Sequence, residues 1–162
     1  MGATGAVPNG FLPPYLVYEG PNGPAYAAWR SDKMATAAFG PMIPSSSLAW
    51  GGLSDSKTEN LRRLKDGVTG RVGDLELRVK QKRQGVLRGT RAIRVSLGSH
   101  QYVLRASGLA SIVLERDAGG RVARFRSVAL PGSMAADAEP SEVALVVLLD
   151  GARLVARATF PL

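Results

Sequence analysis

From Asp74 onward the chain alternates. In Asp74–Lys82 (DLELRVKQK), Leu75, Leu77 and Val79 fall on one side of an extended backbone, and Glu76, Arg78, Lys80 and Lys82 fall on the other. A helical apolar stripe repeats every ~3.6 residues, so a period of two specifies a strand with one face in a core and one in water. The pattern recurs in Arg91–Leu97, with Ile93, Val95 and Leu97 inward and Arg94 and Ser96 outward. Gly98-Ser99, glycine first, fits a two-residue type II′ hairpin turn. His100–Ala106 returns with Tyr102 and Leu104 on one face, Leu109–Arg116 follows, Asp117–Gly120 turns the chain, and Arg121–Val128 runs back. Consecutive strands joined by short turns predict an antiparallel meander over 74–128.

The remainder is less regular. Residues 1–14 (MGATGAVPNGFLPP) read as an extended Pro/Gly-rich arm, and 15–162 as a single β-rich domain. The start has neither a basic n-region nor an apolar h-region, so no signal peptide is expected. Tyr15–Glu19 and Ala25–Arg30 are strand candidates around the turn cluster Gly20–Gly23. Residues 31–73 read as irregular: Pro41, Pro44, the Ser45–Ser47 triplet and Gly51-Gly52 interrupt any period. Within them Ser56–Glu59 fits a capping box for a short helix that Gly67 would end.

The apolar C-terminal element, 140–160, admits two readings. Val143–Leu149 is seven apolar residues in a row, and Asp150-Gly151 between apolar runs is a hairpin signal. Glu139-Pro140-Ser141-Glu142 is a helix start, with Pro at the first helical position and acids in the first turn. The helix over about 140–149 is the first expectation and an all-β chain with a hairpin at 150–151 the second. Either way Val143–Leu149 has no polar side to show to water.

Charge is uneven. The chain of 162 residues carries a net +8, but residues 57–126 alone hold 17 cations and 6 acids. Arg78, Lys80, Lys82, Arg83, Arg88, Arg91 and Arg94 place seven cations in 17 residues without an acid. Such a stretch attracts nucleic acid, an anionic lipid surface or an acidic protein. The aromatics Tyr15, Trp29 and Trp50, with Phe11 and Leu12 of the arm, lie away from the basic strands and read as interface candidates.

Several chemistries are excluded or disfavoured. There is no cysteine, hence no disulfide, thiolate metal site or cysteine nucleophile, and the single histidine, His100, supports no multi-histidine metal site. No serine sits in a G-x-S-x-G elbow. Gly85–Thr90 lacks the Gly-Lys-Ser/Thr of a phosphate loop, and Gly67, Gly70 and Gly73 lack a preceding strand. The longest apolar run is far short of the ~20 residues of a membrane-spanning helix. No catalytic residue, cofactor or metal is expected.

The ladder DLELRVKQK…RAIRVSLGSHQYVLRA…LASIVLER-DAGG-RVARFRSV with the helix candidate EPSEVALVVLL resembles, in layout, the tubby and LURP-one-related group. In that group a closed antiparallel barrel of about twelve strands wraps a hydrophobic C-terminal helix; about seven strands are readable here. The resemblance covers residues 74–158 and implies an anionic-lipid or scaffold role without catalysis. The expectation is an α+β, mostly β chain: an antiparallel meander or barrel with an apolar C-terminal helix. Its expected function is that of a non-enzymatic structural or interaction module, soluble and cytoplasmic, assembling through its arm and β domain into a homo-oligomer or larger protein complex. The alternative is a polyanion-binding module using the basic face of 78–94.

Overall fold

The computed structural model describes residues 15–21, 23–30, 35–49, 64–83, 91–106, 111–126 and 131–152. Eleven strands follow one another: β1 (Tyr15–Gly20), β2 (Gly23–Arg30), β3 (Ala35–Gly40), β4 (Ile43–Leu48), β5 (Val68–Val72), β6 (Leu75–Arg83), β7 (Arg91–Leu97), β8 (His100–Ala106), β9 (Ser111–Arg116), β10 (Arg121–Arg126) and β11 (Pro131–Met134). Residues 64–66 are helical (α1), and α2 spans Pro140–Gly151. The strands form one sheet in sequence order, each pairing antiparallel with the next. The chain is therefore mostly β with a C-terminal helix, as its alternation and apolar run imply. Among the described residues no helix is long and apolar enough to cross a membrane.

The period-two segments behave as read except at Leu75, which was expected inward and is 39% exposed at the start of β6. Leu77 pairs with Leu97 and Val79 with Val95 across β6 and β7, and Val95 pairs with Tyr102 across β7 and β8. All five are buried. Gly98 opens the β7–β8 turn at φ +58°, left-handed backbone that only glycine adopts without strain.

Two corrections follow, and the choice between the two readings of 140–160 falls to the helix, the first expectation. Residues 31–73, expected to be irregular, contain β3, β4 and β5, and among the described residues the strands number eleven rather than about seven. Pro41 occupies a turn, and Pro44 stands next to the first residue of β4. In β4 the buried set is Ile43, Ser46 and Leu48, and the Ser46 hydroxyl donates to the Pro44 carbonyl at 2.9 Å. A buried serine satisfied by its own strand erases the apolar alternation from which a strand is read. In β3, Ala37, Ala38 and Phe39 are all buried, so that strand does not alternate either.

The hairpin at 150–151 is replaced by helix: Asp150 and Gly151 lie within α2, and the Ala152 N–H donates to the Leu148 carbonyl at 2.9 Å. The barrel is also not closed, since among the described residues no ladder joins β11 to β1. β11 is four residues long and starts with proline, which has no N–H to give a further strand and suits an edge.

The inner face of the sheet curls around α2. Residues from Val143 to Leu149 are at most 2% exposed, on every side of the helix. They join a single core with Val17, Ala27 and Leu48 from the first strands and Val95, Leu104, Leu114 and Phe125 from the later ones. Close backbone approach is needed at β5. A Cβ on Gly70 would collide with the Ser47 carbonyl oxygen and sit 2.9 Å from the Leu48 Cα.

Candidate functional site: a cationic outer sheet face

With inner positions committed to the core, register decides what shares the outer face. Arg71 of β5 stands opposite Glu76 of β6, and Arg78 lies between Thr69 of β5 and Ser96 of β7. Lys80 stands opposite Arg94, which stands opposite Val103 of β8, then Glu115 of β9 and Arg121 of β10. In a further row Arg105 of β8 faces Val113 of β9, which faces Arg124 of β10. One continuous face of six strands thus carries Arg71, Arg78, Lys80, Arg94, Arg105, Arg121 and Arg124 against the two carboxylates of Glu76 and Glu115.

Glu115 is engaged. The Arg105 guanidinium donates to both of its oxygens, Nε to Oε2 at 3.1 Å and Nη2 to Oε1 at 3.0 Å. Arg78, Lys80 and Arg94 make no ion pair among the described residues. Arg78 and Lys80 are exposed and Arg94 is half-buried. Lys80 and Arg94 face each other directly, a cross-strand arrangement in which like charges repel. Arg124 has a buried Nε without a hydrogen-bond partner.

Of the seven cations expected from sequence, the structure brings Arg78, Lys80 and Arg94 together. Lys82 and Arg83 belong to β6 and Arg91 to β7, but their side chains lie outside the described set, as does Arg88 altogether. Among the interface candidates Phe11, Leu12 and Trp50 lie outside the described residues; Tyr15 is on β1 and Trp29 on β2, with side chains not described. Sequence reading missed Arg71, Arg105, Arg121 and Arg124 as members of this face. Arg105 was available from the alternation Tyr102, Leu104 inward. Arg121 was hidden by the register shift between Arg121 and Ala123.

A second feature lies at one end of the sheet. A cleft of about 600 Å³ is lined by Ser99, His100, Gln101, Tyr102, Arg116, Asp117, Ala118, Asp137, Glu139 and Glu142. Its charge is opposite to that of the outer face, and it collects carboxylates that the sequence around His100 did not show. Arg116 donates from Nε and Nη2 to the two oxygens of Glu142, both at 2.9 Å, and from Nη1 to Asp137 at 3.2 Å. The Glu139 N–H donates to Glu142 Oε1 at 3.2 Å. Burial pushes the Glu142 carboxyl up, but the Arg116 guanidinium and the Glu139 N–H hold it below the usual carboxylate range. Burial, then the Glu142 charge, pushes the Tyr102 hydroxyl up to about 12. The Glu142 bonds raise Arg116 further above its ordinary value. This network ties the first turn of α2 to β8 and β9.

No protein-family model matches the chain, and no curated protein or solved structure matches it.

Proposed function

We propose that this chain is a non-enzymatic interaction module and that its working surface is the cationic outer face of β5–β10, which takes a polyanion. One observation carries the reading: seven cations and two carboxylates share that face, and Arg78, Lys80 and Arg94 have no acidic partner among the described residues. Charges that repel one another across a rigid sheet destabilise the fold unless an anion relieves them. The layout resemblance to the tubby and LURP-one-related group belongs to the same proposal, supported by a sequential meander curled on an apolar helix. Assembly through the arm would rest on Phe11, Leu12 and their neighbours, which lie outside the described residues.

The test is retention on immobilised heparin. Wild-type protein is expected to elute well above about 0.15 M salt, where exposed charges more than about 8 Å apart are screened. The double variant Lys80→Glu/Arg94→Glu is expected to elute below it while keeping its thermal midpoint. Wild-type elution below 0.15 M salt, as flagged by the same screening argument, removes the proposal.

A further inference from the structure

We infer that the polyanion is the phosphate backbone of a nucleic-acid duplex, bound without sequence preference across β5–β10. This rests on the polyanion reading above and narrows it. Neighbouring strands lie ~4.8 Å apart, so six of them trace a convex arc roughly 24 Å in width on the outside of the curled sheet, of which a straight duplex meets the central strands. A duplex places a charge every ~1.7 Å of its axis, on the order of a dozen along that width. The cations sit on paired strands, so their spacing is fixed before binding.

What accompanies the cations selects among polyanions. Single strands are held by aromatic side chains on which bases stack. The outer positions between the cations are Thr69, Ser96, Gln101, Val103 and Val113, and none is aromatic. A membrane surface is held by apolar side chains that enter it, with charge as an addition. Among the described residues, the large apolar ones that stand exposed are Leu16, Met42 and Leu75. Leu16 is on β1, Met42 is in the β3–β4 turn, and Leu75 belongs to the inward-facing set of β6; Val113 is buried and Val103 half-buried. Thr69 and the amide N–H groups of Gln101 supply the neutral donors that join arginine and lysine at phosphate and sugar oxygens, while the Ser96 hydroxyl donates to Gln101 Oε1 at 2.9 Å. No described helix lies on this face to enter a groove, so base edges go unread and sequence preference is not expected.

The experiment is fluorescence anisotropy with a 24-base-pair labelled DNA duplex at 50 to 300 mM salt, competed by a second duplex of unrelated sequence and by a single strand of equal length. Vesicles containing 30 mol% anionic lipid form a separate arm. The expected slope of log affinity against log salt is about −4.5, from roughly five phosphates neutralised at ~0.9 each. The two duplexes should agree within about twofold and the single strand should compete at least tenfold less well, as the missing stacking platform implies. Lys80→Glu/Arg94→Glu should weaken duplex binding at least thirtyfold, and the neutral pair Lys80→Gln/Arg94→Gln should lower the slope by about two. Binding to vesicles or heparin without duplex binding overturns this inference and leaves the polyanion reading intact. Tighter binding of the single strand also overturns it. Failure to bind any polyanion removes both, and unchanged duplex affinity in both variants removes the assignment to this face.

Discussion

At Glu142 two demands meet in one carboxylate. The first turn of α2 leaves backbone N–H groups unpaired, and Glu142 accepts the one from Glu139. The same carboxylate, 4% exposed, takes two hydrogen bonds from Arg116. Removing Arg116 leaves that buried charge uncompensated, so Arg116→Ala should cost about 3–5 kcal/mol, measured by urea unfolding. Glu142→Gln keeps the shape and should cost less, since Asp137 still accepts from Arg116. The sign of the pH effect follows from the lowered carboxyl. Its contribution is complete above the unfolded value near 4.5 and is lost as pH falls through the lower folded value. Wild-type stability should drop below about pH 4.5 more steeply than that of Glu142→Gln; parallel acid limbs in the two would contradict the role given to Glu142. Tyr102 acts at the other end of the scale: its raised hydroxyl favours the folded state below pH 10 and ceases to do so between 10 and about 12. Gly70 is held by backbone geometry instead. Gly70→Ala should destabilise by about 1–3 kcal/mol, because the collision is with the paired β4 backbone and that strand must shift to admit a methyl group.

At the scale of elements, legibility follows where the water was. β6, β7 and β8 have one wet face, so their sequences alternate and their inward and outward residues could be told apart from the sequence. β3 is buried through Ala37, Ala38 and Phe39, and β4 hides a serine in the core, so neither announces itself as a strand. α2 is ambiguous for the same reason: a segment wrapped on all sides shows no period, and only Pro140 and the flanking acids distinguish helix from strand. That the face reaches Arg121 and Arg124 could not be read, because it depends on pairing between β9 and β10 and on a register shift in β10. Burial itself was legible, and it carries a test. Val146→Asp puts a charge where the side chain is fully covered, at a cost of several kcal/mol, comparable with the stability of a whole domain. The variant should go to inclusion bodies; a soluble form with cooperative thermal unfolding would contradict the packing of α2.

On the scale of the whole molecule, apolar matter and charge are separated inside to outside. The last described element fills the interior of a sheet formed by all the strands before it, while the outer surface of β5–β10 collects uncompensated cations. The repulsion between Lys80 and Arg94, and between both and Arg78, works against a fold whose core is otherwise continuous. Each directly opposed like pair costs on the order of 0.2–1 kcal/mol, and salt relieves it by shortening the screening length from about 10 Å at 0.1 M toward 3 Å at 1 M. Raising NaCl from 0.05 to 0.5 M should therefore raise the wild-type thermal midpoint by a few degrees, since about 1 kcal/mol moves the midpoint of a domain this size by ~2–4 °C. Lys80→Gln/Arg94→Gln, which removes the opposed like pair, should start higher at low salt and respond less. Calorimetry of the two proteins at both salt concentrations separates this from a general salt effect, which would move both midpoints equally. An equal shift would mean that the outer cations are too well solvated to strain the sheet, and that a binding partner gains nothing by neutralising them beyond its own phosphate contacts.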